Sequence, residues 1–134
     1  MKKLLILTAF LSSLIMTSVA NAEWTAVGES KTAGDTYYVD FERIKKQDGK
    51  VYYWALCDYL KPSPTGVMSE TIYTEAECGS FRYRWLTDTF YKGPMATGDV
   101  SSSNNTPMKN WYYPSSDSVA EIILNAVCNH KTMQ

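Results

Sequence analysis

Cys57, Cys78 and Cys128 are the three cysteines of this 134-residue chain, and His130 is its one histidine. A dithiol redox centre needs a Cys-x-x-Cys pair or a similar low-pKa arrangement, and the chain has none. A zinc site needs four clustered ligands, yet the only nitrogen ligand is His130, separated from Cys128 by Asn129 alone. No metal and no cofactor is therefore expected. A serine or cysteine hydrolase needs a base held by a third group, and His130 is the one available. Its place near the chain end predicts a solvent-exposed side chain. The carboxylates Asp58, Glu70, Glu75, Glu77 and Asp88 alternate with apolar residues, which reads as a solvated sheet face and not as an acid–base pair. "GPMATG" (93–98) lacks the lysine and helix start of a phosphate-cradling loop. The expectation is a chain without catalysis.

The cysteines then read as scaffolding. Three of them allow three single bridges and leave one thiol over. Cys57 sits in the middle of "KVYYWALCDYL" (50–60), where a cysteine behaves as a small buried hydrophobe and is expected as the free thiol. Cys78 lies beside Gly79 at a strand end, and Cys128 lies in the last turn of a helical stretch. Both positions let the backbone adjust to the Cα separation that a disulfide demands. Cys78–Cys128 is the favoured bridge, with pairs involving Cys57 left open.

One stretch has the composition of a recognition surface. In "FRYRWL" (81–86), Arg82 and Arg84 share one strand face, while Phe81, Tyr83 and Trp85 share the other. Arginine and large aromatics are enriched at interaction hot spots, so Arg82, Arg84 and Trp85 are candidate binding residues, with Lys61 from a neighbouring loop. The competing reading makes the aromatics core beneath a helix and pairs the arginines with acids on an adjacent strand.

The elements that position these residues are mostly strands. "EWTAVGES" (23–30), "TYYVD" (36–40), residues 50–60, 67–78 and 79–91 each carry the aromatic and β-branched residues of a pleated surface. "FERIKKQ" (41–47) reads as one helical turn or a bend, and Asp48-Gly49 as a type I′ hairpin turn. "KPSPTG" (61–66) and the polar stretch 92–110 read as loops. Val119, Ile122, Ile123, Ala126 and Val127 form one apolar stripe at helical spacing, opened by a Ser118-x-x-Glu121 capping box. The fold class expected is α+β and mostly β: an antiparallel sheet of about six strands with one C-terminal helix packed on one face.

The first residues predict export. Lys2 and Lys3 precede an apolar run to Met16, and Ala20-x-Ala22 offers a signal-peptidase site between Ala22 and Glu23. Residues 1–22 are read as a signal peptide and 23–134 as a single domain, periplasmic or secreted. No cysteine follows the run, so no lipid anchor is expected. Loss of Lys2 and Lys3 lowers the basic count from 13 to 11 against 14 acidic residues, a net charge of about −3. That argues against a nucleic-acid partner.

In order and composition, "TYYVDFERI", "VYYWALCDYL", "ETIYTEAECGSFRYRWLTDTFY" and "EIILNAVCNH" resemble the surface-adhesin protein E family, from about Tyr37 to His130. The resemblance implies a six-stranded antiparallel sheet carrying a C-terminal helix, the two joined by a disulfide that maps onto Cys78 and Cys128. It also implies that a homodimer is open to this chain. The type member is a lipid-anchored outer-membrane adhesin for host matrix proteins. Here position 23 is glutamate where that protein has its lipidated cysteine, and "KPSPTG" offers only Lys61 where it presents a basic pair.

The functional expectation is a non-catalytic exported binding domain contacting a protein or a cell-envelope component. A periplasmic inhibitor of a lysozyme-type enzyme, using residues 92–110 as the inserting loop, is the alternative. A small hydrolase is disfavoured for want of a base–nucleophile pair.

Overall fold

The computed structural model describes residues 22–131, so most of the expected signal peptide lies outside the described residues. Strands β1 (Thr25–Glu29), β2 (Thr36–Val39), β3 (Lys45–Gln47), β4 (Lys50–Asp58), β5 (Ser69–Glu77), β6 (Arg82–Tyr91) and β7 (Val100–Asn104) precede one helix, α1 (Val119–Cys128). All pair antiparallel in one sheet of order β1-β2-β4-β5-β6-β7, with β3 beside β4 below the end of β2. The expected fold class holds, with two strands that sequence patterning did not supply.

The first is β3. Asp40 caps a 3-10 turn at Phe41–Arg43, its carboxylate accepting from the Glu42 amide, and the chain then resumes an extended course. Asp48 and Gly49, at φ 51° and 74°, close the hairpin into β4, both in the left-handed region that a type I′ turn requires. The second is β7, inside the stretch expected to be loop. Its residues VSSSN are exposed throughout, so they carry no hydrophobic alternation for a sequence reading to detect.

Register divides the side chains between two faces, because antiparallel partners project to the same side. On the helix side lie Val39, Val51, Tyr53, Ala55 and Ala76, which with Ile123, Leu124 and Val127 form the core. Ser118 caps α1 by accepting from the Glu121 amide, while the Glu121 carboxylate accepts from the Asp117 amide. A ten-residue helix is about 15 Å long, the width of roughly three strands. Accordingly α1 packs chiefly on β1, β2 and β4 and leaves β5 to β7 largely uncovered. At Gly28 the helix comes so near that an added Cβ would lie 3.3 Å from Ile122 Cγ2.

The disulfide joins Cys78 and Cys128, Cα atoms 5.6 Å apart and 50 residues apart in sequence, and so ties the end of α1 to the β5–β6 turn. Cys57 is the free cysteine, buried on the helix side of β4. Burial pushes its thiol up to about 12, so it is inert at neutral pH.

Candidate functional site

The sheet face away from α1 carries a dense set of cations and aromatic rings. Lys50, Tyr52 and Trp54 project from β4, Tyr73, Glu75 and Glu77 from β5, and Arg82 and Arg84 from β6, all to this side by register. At one end Arg84 Nε donates to Glu75 Oε2 at 2.7 Å, and Lys50 Nζ lies 2.9 Å from Glu75 Oε1. Arg82 pairs with Glu77 at 2.8 Å. Trp111 closes over the group, with the Arg82 and Arg84 guanidinium carbons 4.5 and 4.6 Å from its ring centroid and Lys50 Nζ at 5.8 Å. Backbone bonds between Tyr112 and Tyr83, and from the Met108 amide to the Trp85 carbonyl, hold this segment along the outer edge of β6. Trp111 is thereby fixed over the face by cation–π attraction and main-chain pairing together.

Glu75 is only 3 % exposed, which corrects the expectation of a solvated carboxylate face. Burial alone would raise its carboxyl, but the hydrogen bonds from Arg84 and Lys50 outweigh that and hold it below the ordinary carboxylate range. Nor do the strand acids share one side. Glu70 and Asp88 pair opposite Cys57 and Ile72 and therefore project to the helix side. There burial pushes the Glu70 carboxyl up to about 7, against the opposing effect of a hydrogen bond from Tyr59 at 3.2 Å.

The middle of the face is a second aromatic group. Arg43 stacks between Trp24 and Trp54, its guanidinium carbon 5.9 and 5.5 Å from the two rings, and Trp54 lies 4.8 Å from Tyr73. Buried Asp40 accepts from Arg43 Nε, which fixes the guanidinium from behind. Trp24, Arg43, Trp54, Tyr91 and Met95 border an open hollow of about 460 Å³. Its far wall is the segment 92–99, which folds back over the sheet. The Met95 amide donates to Asp58 at 2.8 Å, the Ala96 amide to Ser69 Oγ, and Ser69 Oγ to the Gly93 carbonyl. The face opposite the helix is thus bounded by two folded-back segments.

Of the expected binding residues, Arg82 and Arg84 come together here. Trp85 does not, because it pairs opposite Thr74 on the helix side. Lys61 is exposed in the β4–β5 connection, at the other end of that hairpin from Arg82. His130 is half-buried, its ring 4.8 Å from that of Phe41, which corrects the expectation of a solvent-exposed side chain. The 3-10 turn carries Phe41 beneath the end of α1 and gives the imidazole an apolar neighbour. Sequence reading missed Trp24, Arg43, Trp54 and Trp111, since they come from four separate parts of the chain and reach this face only in the folded sheet. The signal they offered was the frequency of Trp and Tyr, without position. No group of three or more metal-ligating side chains occurs among the described residues.

The surface-adhesin protein E model matches residues 24–129, nearly the whole described chain. The chain belongs to the surface-adhesin protein E family. Crystal form II of Haemophilus influenzae protein E superposes with a TM-score of 0.55 at 19 % identity, covering 69 % of this chain and 79 % of that one. The selenomethionine form of the same protein gives 0.58 at 16 %, covering 81 % and 87 %. Protein E from non-typeable H. influenzae gives 0.54 at 17 %, covering 81 % and 78 %. At these identities the protein E likeness carries the sheet-and-helix fold. No curated protein matches the sequence.

Proposed function

We propose that this adhesin E family member is an exported, non-catalytic domain that binds a protein or cell-envelope component through the sheet face opposite α1. The supporting observation is the Trp24–Arg43–Trp54 stack bordering an open hollow, with Arg82, Arg84 and Trp111 beside it. Rigid tryptophans and arginines presented together at the centre of a face have the composition of an interaction hot spot. Family membership supports a binding role, and no helix among the described residues is long and apolar enough to cross a membrane. Within this reading Arg43, Trp54 and Arg82 are the contact residues, Arg84 chiefly holds Glu75 in place, and Lys61 sits at the rim. A central anchor costs more than about 2 kcal/mol of binding when truncated, a rim lysine far less. Capture of partners from envelope and host extracts by the mature domain tests this. A partner retained by Lys109→Ala and lost by Trp54→Ala, with both variants folded, supports the proposal. Equal retention by both would overturn it.

Export belongs to the same proposal. The mature chain starts at Glu23 after removal of residues 1–22, leaving 112 residues of the 134. N-terminal sequencing of envelope-fraction protein should read Glu-Trp-Thr, and a sequence starting at Met1 would exclude cleavage.

A further inference from the structure

Between the first turns of α1 and the uncovered part of the sheet lies a partly enclosed cavity of about 180 Å³. Its floor is the buried surface of Tyr53, Ile72 and Thr74, its helix wall Val119 and Ile123, and its opposite wall Tyr83 and Trp85. It exists because a ten-residue helix spans only β1, β2 and β4, while the β6 aromatics stand up beside it uncovered. A β-bulge is placed at its edge: register shifts between Tyr73 and Thr74, so that Thr74 faces Trp85 while Tyr73 faces Thr87. Bulges of this kind bend a strand and re-aim a side chain, here the Trp85 indole.

We infer that this cavity is a binding site for a small uncharged aromatic molecule of the phenol type. Size and lining both lead there. An apolar cavity of about 150 Å³ lined by aliphatic and aromatic side chains accommodates benzene, and this one is slightly larger. Its wall is mainly apolar, and an offset or edge-on partner for Tyr83 and Trp85 gains stacking energy as well as area burial. Thr74 adds a hydroxyl on the floor for one polar substituent. No lysine, arginine or histidine lines the space, and Glu70 and Asp88 flank Ile72 on the same sheet face, so an anion is disfavoured. A mainly apolar recess with few convergent polar groups is the commonest form of a small-ligand site.

Phenol itself is the probe, added to the full mature chain and followed by amide and indole NMR shifts. Expected are saturable shifts confined to Trp85, Thr74, Ala120 and Ile123, and a rise in Tm of about 3 °C or more at saturation. Ala120→Phe places a ring in the cavity from the helix side. It should abolish the shifts while keeping the native spectrum. Val119→Phe is an independent plug if the first variant does not fold. No saturable shift up to about 10 mM phenol, ten times a Kd near 1 mM, would overturn the inference. So would unchanged binding in a folded Ala120→Phe protein. Equal binding of benzoate would overturn the requirement for an uncharged ligand, and preferential binding of tetramethylammonium would make the aromatic walls a cation cage instead. Because the cavity is on the helix side, Ala120→Phe should leave partner capture by the opposite face unchanged, which separates the two proposals.

Discussion

Arg84 Nε donates to Glu75 Oε2 at 2.7 Å across the β5–β6 ladder, and the glutamate side chain is 4 % exposed beneath that contact. Removing the arginine leaves a buried carboxylate with Lys50 as its remaining cation. Arg84→Ala should therefore lower stability by about 1–3 kcal/mol, with Glu75→Gln costing less because it removes the charge itself. Urea unfolding of the two single variants and the double variant checks this. A coupling energy near zero would show the pair to be independent.

Trp111→Ala should loosen the segment 105–113 without unfolding the sheet. The Tyr112–Tyr83 main-chain pair remains, but the ring that spans Arg82 and Arg84 is gone. Amide exchange at Tyr112 should accelerate about tenfold or more, while Val51 and Ala76 amides keep their protection. Unchanged exchange at Tyr112 would show that main-chain pairing alone holds the segment.

Replacing Cys128 with serine should cost about 2–5 kcal/mol, the usual range for a native bridge in a small domain. Peptide mapping under non-reducing conditions should join the Cys78 and Cys128 peptides, and alkylation after denaturation should mark Cys57 alone. A mark on Cys78 would refute the bridge.

Glu70 gives stability a pH dependence of opposite sign to that of most carboxylates. Burial raises its folded-state pKa to about 7 from the ordinary carboxylate value of 4.5. Between those values the folded state binds more protons than the unfolded state, so this group's contribution falls as pH rises from about 4.5 to 7. Glu70→Gln removes that decline, and should be more stable than wild type by about 1–3 kcal/mol at pH 8 and nearly equal to it at pH 4. Thermal unfolding at the two pH values decides. An equal offset at both would mean that Glu70 stays ionised in the fold.

Sequence patterning located what is governed by local rules. The Asp48-Gly49 turn, the α1 stripe with its Ser118 cap, and the long strands β4, β5 and β6 all follow from periodicity and turn chemistry. The Cys78–Cys128 pairing could be favoured because a strand end and a helix end let the backbone adjust to a disulfide and because the family resemblance agreed. What failed was long-range. β7 is entirely exposed and polar, so only its pairing with β6 identifies it as a strand. Glu75 alternates with its neighbours as a surface acid would, yet it is buried against Lys50 and Arg84, cations that themselves lie by the ring of Trp111, 36 positions from Glu75 in sequence. The Arg43 stack needs Trp24 and Trp54 from two different strand regions, and no spacing rule reports that meeting. Local chemistry was legible; the convergence of distant residues on one face was not.

Gly28 against Ile122 brings β1 and α1, the first and last elements among the described residues, into contact, since α1 rests on β1 and β2. During synthesis the amino-terminal strands emerge first, but the surface they offer the core stays uncovered until the final helix is released. Contacts of such sequence separation slow folding, because a long loop must close before it is rewarded. This core therefore cannot close until α1 has been made. Any shortening of the carboxyl end that removes Leu124 and Val127 would strip cover from residues made some ninety positions earlier.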